Sequence, residues 1–217
     1  MHKCIIIANG KPPKKKLLRK LEKLNYNYTI CADGGANTAR KLKIIPDLIV
    51  GDFDSITKEN LNYYLERTKV IKIENQNNTD VEKALDAAVN LNFSKTVLLG
   101  AIGNRLDHSY ANICMAVKYY PKIQVGIIYG KSYMFPFSGE IEFLTDVGET
   151  ISMFGADPFA KFYTRGLKYS LNGQTLPMGV RESESNEAAE NIASIRIENG
   201  KGIIFRELKK ALKYDFI

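Results

Sequence analysis

Along the first part of the chain, short apolar runs alternate with stretches in which apolar residues recur every three or four positions. The runs at residues 4–8, 28–32, 48–50, 70–73, 96–100 and 123–129 have the length and β-rich content of buried strands. Between them, Leu17, Leu18, Leu21 and Leu24 keep a helical spacing, as do Val81, Ala84, Leu85, Ala88 and Val89, and then Tyr110, Ile113, Cys114 and Val117. This alternation predicts strands joined by crossover helices. After about Tyr133 the helical period stops, and glycines, prolines and alternating apolar positions take over. The chain therefore reads as α/β, with a mostly parallel α/β domain over residues 1–134 followed by an antiparallel β-sandwich over residues 135–217. In the second part, Asn172-Gly173 and Asn199-Gly200 predict type I′ hairpin turns, because such pairs tolerate positive φ. The polar stretch 181–191 reads as a loop between strands.

Composition narrows the class. With 217 residues and 45% hydrophobic content, the chain can bury the core of one large domain or two small ones, which excludes a disordered protein. The net charge of +7 comes mostly from scattered lysines, with one dense patch at Lys11, Lys14, Lys15, Lys16, Arg19 and Lys20. No aromatic residue interleaves that patch as a stacking surface for nucleic acid requires, so it reads as a solvated helix face and no nucleic-acid partner is expected. Cys4, Cys31 and Cys114 sit in apolar runs without metal-type pairing, which predicts buried free thiols in a reducing cytoplasm. The apolar run after Lys3 is too short for a signal segment or a membrane span, so a cytoplasmic protein without a membrane partner is expected.

The chemistry-bearing residues fall where strands end. Asp33-Gly34-Gly35-Ala36-Asn37, Gly51-Asp52-Phe53-Asp54-Ser55 and Thr79-Asp80 would gather along one edge of a parallel sheet, where ligands bind. Carboxylates collected there need a cation, and Mg²⁺ suits oxygen ligands and phosphate substrates. Asp52 and Asp54, two apart on extended chain, face one way and could share one or two such ions, or the segment could simply lead into a capped helix near Thr57. Gly34 and Gly35 either bring backbone amides to a phosphate or make a plain strand-to-helix turn. Thr79 and Glu82 fit a capping box, beside an amide-rich loop of Asn75, Gln76, Asn77 and Asn78 suited to a polar ligand. Arg105 could stabilise charge on a transferring phosphoryl group while Asp107 orients it or accepts a proton; the alternative is a surface ion pair at a helix start. His108 is the only histidine besides His2, which excludes most histidine-based zinc sites, and the Gly-rich P-loop signature is absent.

Taken in order, Asp33 to Asn37, Pro46 to Ser55, Thr79-Asp80 and Gly103 to His108 resemble the thiamin pyrophosphokinase family, and Thr164 to Tyr169 with Ser183 to Glu187 resemble its thiamin-side segments. That resemblance implies a Mg²⁺-dependent transfer of the diphosphoryl group of ATP to the hydroxyethyl oxygen of thiamin, leaving thiamin diphosphate and AMP. It implies an ATP-binding catalytic domain and a thiamin-binding sandwich in a homodimer whose thiamin pocket combines two subunits. Carried onto this chain, Asp52, Asp54 and Asp80 hold the metal, and Asp33, Gly34, Gly35, Asn37 and Ser55 lie on the ATP side. Arg105 and Asp107 complete the reacting centre, and Thr79, Asp80, Tyr169, Ser185 and Asn186 meet thiamin. Asn77 stands where relatives often carry an acid, and Tyr169 where a tryptophan is common. The competing reading is a nucleotide- or thiamin-sensing protein that kept the pocket and lost turnover.

Overall fold

The computed structural model of the protein describes residues 2–75 and 77–217, so Gln76 of the amide-rich loop lies outside the described residues. Two compact units divide the chain, Met1–Tyr129 and Gly130–Ile217.

In the first unit, β1 (Lys3–Ile7), β2 (Tyr26–Ala32), β3 (Leu48–Gly51), β4 (Lys69–Lys72), β5 (Lys95–Leu99) and β6 (Gln124–Tyr129) follow the apolar runs. All pair in parallel, in the order β6-β5-β1-β2-β3-β4. Parallel strands need crossovers. These are α1 (Lys15–Lys23), α2 (Gly35–Lys41), α3 (Lys58–Leu65), α4 (Asp80–Asn90) and α5 (Leu106–Tyr119). The apolar stripes of α1 and α4 turn inward through Leu18 and Leu21, and through Val81, Ala84, Leu85 and Ala88. The face of α5 departs from expectation: it buries Ser109, Asn112, Ala116 and Tyr119 instead of the Tyr110 stripe. Asn112 Nδ2 donates to Ala101 O at 2.7 Å, so hydrogen bonding rather than apolar spacing sets the helix rotation. Cys114 consequently lies exposed, whereas Cys4 and Cys31 are buried as expected.

The second unit holds β7 (Ser132–Leu144), β8 (Thr150–Gly155), β9 (Lys161–Arg165), β10 (Asn172–Thr175), β11 (Ser183–Glu187), β12 (Ile192–Glu207) and a final α6 (Leu208–Lys213). Every pairing among these strands is antiparallel. Neither Asn-Gly pair makes a hairpin. Asn199 (φ 58°) and Gly200 (φ 153°) stand inside β12 at the register shift between Ile197 and Gly202, and Gly173 (φ 84°) sits at the shift that opens β10. The same tolerance of positive φ that suits a turn here accommodates a bulge. Its consequence is a change of parity: Ala193, Ile195 and Ile197 point inward before the break, and Gly202, Ile204 and Arg206 after it. The first half of β12 can then pair with β9 and the second with β8, while β7 runs beside both.

Two further expectations fail in this unit. Within the stretch read as a loop, Ser183–Glu187 form β11 against β8, because the backbone ladder rather than apolar side chains defines this polar strand. The unit also ends in a helix that strand grammar did not anticipate; α6 buries only Ala211. Tertiary contacts hold it, since Lys210, Lys213 and Tyr214 all engage the Asp146 carboxylate. Beyond it Phe216 packs within 5.1 Å of Phe135 and 5.2 Å of Phe143, ring to ring. No helix among the described residues is long and apolar enough to cross a membrane.

Candidate functional site

Parallel pairing brings the ends of β2 and β3 side by side, with Ala32 opposite Val50. Asp33 leaves β2 at φ 37° and Phe53 follows β3 at φ 70°, conformations that non-glycine residues seldom hold without surrounding support. The support is visible. Asp33 is fully buried, and its two carboxylate oxygens accept from Ser55 N at 3.0 Å and Ile56 N at 3.1 Å. Asn37, one turn into α2, donates to Ser55 O at 2.9 Å and accepts from Thr57 N and Asn60 Nδ2. Thr57 then caps α3 by accepting from Asn60 N. The 52–57 loop is thus lashed down from below.

Glycines make the close approach. A Cβ on Gly51 would lie 2.6 Å from Asp33 Cβ, and one on Gly35 would lie 1.9 Å from Ile7 O, a rigid backbone atom. Gly35→Ala is expected to push α2 off β1 and lower stability by roughly 1–3 kcal/mol, measured as a fall in the denaturant midpoint. An unchanged midpoint would show that α2 shifts freely.

Within this frame Asp33, Asp52, Asp54 and Asp80 each offer a carboxylate oxygen, and these atoms all lie within 4.8 Å of one another. Asp80 opens α4, whose cap is Thr79: its Oγ1 accepts from Glu82 N at 3.2 Å. Glu82 does not close the expected box, because its carboxylate pairs with Lys118 Nζ at 2.5 Å. One turn along α4, Lys83 Nζ bridges Asp52 Oδ2 and Asp80 Oδ1, each at 3.1 Å. Burial pushes the Asp33 carboxyl up to about 6, against the pull of its two backbone hydrogen bonds. Burial also raises Asp80, opposed by Lys83 and reinforced by the charges of Asp52 and Asp54. Burial acts the same way on Asp52, but the hydrogen bonds from Lys83 and Asp54 N outweigh it and hold this carboxyl below its ordinary range.

A donor set of four carboxylates fits a hard divalent cation. Opposite ligands of Mg²⁺ bound at 2.0–2.1 Å stand about 4.2 Å apart, so a small inward movement suffices. Nearby Ser55 Oγ donates to Asp54 at 2.8 Å. Asp33 joins a set that sequence reasoning limited to Asp52, Asp54 and Asp80. Lys83 was missed altogether, although its position three residues after Asp80 on one helix face was a usable signal.

Arg105 and Asp107 pair with each other, at 3.0 and 2.6 Å, and both side chains are mostly exposed. The guanidinium beside it holds the Asp107 carboxyl well below the usual range. Asp107 is not a member of the four-acid group. In the second unit, buried Asn186 accepts from Tyr169 N at 3.1 Å and donates to Tyr169 O at 2.8 Å, fixing one segment against the other. They line a pocket of about 260 Å³ with Ser170, Arg181, Ser183 and Glu184. Ser185, at φ 54°, donates its N–H to Ser152 Oγ.

Two family models match the chain: the thiamin pyrophosphokinase catalytic domain over residues 20–127 and the thiamin pyrophosphokinase vitamin B1 binding domain over residues 140–204. The chain belongs to the thiamin pyrophosphokinase family. It is similar to thiamine pyrophosphokinase of Bacillus subtilis, 27% identical across 94% of this chain and 98% of that one. It is also similar to thiamin pyrophosphokinase 1 of Caenorhabditis elegans, 25% identical across 93% and 87%. The solved Bacillus subtilis thiamine pyrophosphokinase superposes with a TM-score of 0.80 at 25% identity, covering 94% of this chain and 98% of that chain. The Candida albicans enzyme shares the fold, with a TM-score of 0.81 at 20% identity over 95% and 90%. All four clustered acids fall inside the thiamin pyrophosphokinase catalytic match, and Tyr169, Ser185 and Asn186 inside the vitamin-binding match.

Proposed function

We propose that the chain transfers the diphosphoryl group of ATP to the hydroxyethyl oxygen of thiamin, giving thiamin diphosphate and AMP. The observation that carries this reading is the convergence of Asp33, Asp52, Asp54 and Asp80 within a region matching the family's catalytic domain. The four would hold Mg²⁺, which when bound neutralises phosphate charge and polarises the bond to be broken. The thiamin hydroxyl oxygen attacks the β-phosphorus and gives up its proton to solvent or a neighbouring carboxylate, the bond from that phosphorus to the α,β-bridging oxygen breaks, and AMP leaves.

In this reading the chain's own residues mainly position and neutralise, as in phosphoryl transfer generally. Asn37 and Ser55 shape the loop that presents Asp52 and Asp54, and Gly34 and Gly35, whose α-carbons press on Asn9 and Ile7 O, set the start of α2 on the ATP side. Arg105, exposed and paired with Asp107, can meet a phosphate from solvent. Thr79 and Asp80 serve thiamin from the catalytic side. The pocket lined by Tyr169 and Asn186, with Ser185 on the strand segment beside it, serves it from the vitamin-binding side, with Asn186 shaping the pocket, since its amide is spent on Tyr169. We assign ATP to a catalytic domain over 1–134 and thiamin to a sandwich over 135–217, in a cytoplasmic homodimer whose subunits share the pocket. The bulged β12, which pairs with β9 in one half and β8 in the other, supports the sandwich.

Protein, thiamin, ATP and Mg²⁺ incubated together are expected to yield AMP and thiamin diphosphate in equal amounts, with loss of turnover when the cation is chelated. Appearance of ADP or inorganic phosphate instead would overturn the reading. Binding of both ligands without turnover would favour the sensor.

A further inference from the structure

Lys83 is only 3% exposed, and a buried ammonium persists as a charge only where opposite charge surrounds it. Here two carboxylates do so from separate elements. Asp80 lies on the same face of α4, and Asp52 lies 31 residues earlier on the loop after β3, both 3.1 Å from Nζ. Lys83 therefore ties the start of a helix to the loop that carries Asp52 and Asp54. It also occupies one oxygen of each partner, Asp52 Oδ2 and Asp80 Oδ1. Two metal ions bound by the protein alone would have to compete for these same oxygens.

We propose that Lys83 is a built-in counter-cation and positioning residue: it keeps Asp52 and Asp80 in register, and by filling the space between them limits the protein alone to one divalent ion. This rests on the metal-binding reading above. Four carboxylates against one ammonium leave three negative charges, enough to attract one divalent cation strongly. Further cations required by the reaction then arrive with the nucleotide phosphates, whose own oxygens complete their coordination.

The test is Mn²⁺ titration, followed by electron paramagnetic resonance without nucleotide, of the wild type and Lys83→Met, with denaturant unfolding of each in the presence and absence of Mn²⁺. Wild type is expected to bind one ion. Lys83→Met is expected to bind a second ion, or the first roughly tenfold or more tightly, because a nearby positive charge is gone. Its loss of stability is expected to be largely restored by Mn²⁺, including the case in which it folds only with the ion. Two ions on the wild type, or unchanged number and affinity in the variant, would overturn the inference, as would a stability loss or failure to fold that Mn²⁺ does not repair. Absence of any bound ion on the wild type would instead sink the metal-binding reading itself.

Discussion

Asp54→Asn is expected to lower kcat for AMP formation by a factor on the order of 10² to 10³ while leaving stability near that of the wild type. The separation follows from geometry. Asp54 is exposed, and its carboxylate accepts the Ser55 hydroxyl, a hydrogen bond that an asparagine oxygen can still accept. What the substitution removes is one negative charge from the four-acid group, where a cation and the transferring phosphates need it. Initial rates of AMP release at saturating substrates, set beside denaturant midpoints, check both halves. A kcat within threefold of wild type would mean that Asp54 does not hold the metal. Asp33→Asn is the instructive contrast, because Asp33 is buried and anchors Ser55 N and Ile56 N, so there folding and chemistry fail together.

The largest stability effect is expected in the second unit, at Glu149→Gln. Glu149 and Arg206 form a doubly hydrogen-bonded ion pair at 2.8 and 2.9 Å, with both side chains at 0% exposure. Arg206 also donates to Leu144 O, and its guanidinium lies 4.3 Å from the Phe143 ring and 4.6 Å from that of Phe216. Its Nη1 has no partner among the described residues, so the arginine is already incompletely satisfied. Removing the carboxylate charge strands a buried cation, at a cost of about 3–5 kcal/mol. Glu149→Met with Arg206→Met is expected to recover most of that loss, because the desolvation penalty leaves with the charge. Equilibrium unfolding of the single and double variants measures both; a single variant within about 1 kcal/mol of wild type would show that Arg206 finds water or another partner.

Much of the catalytic half was legible before any coordinates. The six parallel strands follow local β-rich runs, and α1 and α4 follow local spacing, because a strand's β-rich composition and a half-buried helix's apolar period are both local signals. Since strand order in such a sheet puts the loops after β2 and β3 on one edge, Asp33, Asp52 and Asp54 could be grouped in advance. Asp80 could be grouped with them because it follows the next β-rich run, while its metal role came from the family resemblance. The second half was less legible. A bulge and a turn ask for the same Asn-Gly chemistry, so Asn199-Gly200 could not be told from a hairpin until the ladders on both sides of β12 were known. Polar β11 and short α6 have little pattern of their own and exist through the neighbours that hold them.

By itself, the chain's order of motifs determined the family and singled out Asp33, Asp52, Asp54 and Asp80 as candidates, because strand, turn and helix-cap signals are local and survive reading in one dimension; that the Asp33 carboxylate stands within the same group as the other three came only with the structure. Tertiary structure alone decided how the charges are balanced. That Lys83 reaches both Asp52 and Asp80, that Asp33 spends its oxygens on the 55–56 backbone, and that Arg206 lies buried against Glu149 all depend on residues 22 to 57 positions apart, or on a helix face turned inward. Such pairings arise only when packing has removed water and left each charge to the partner the fold supplies.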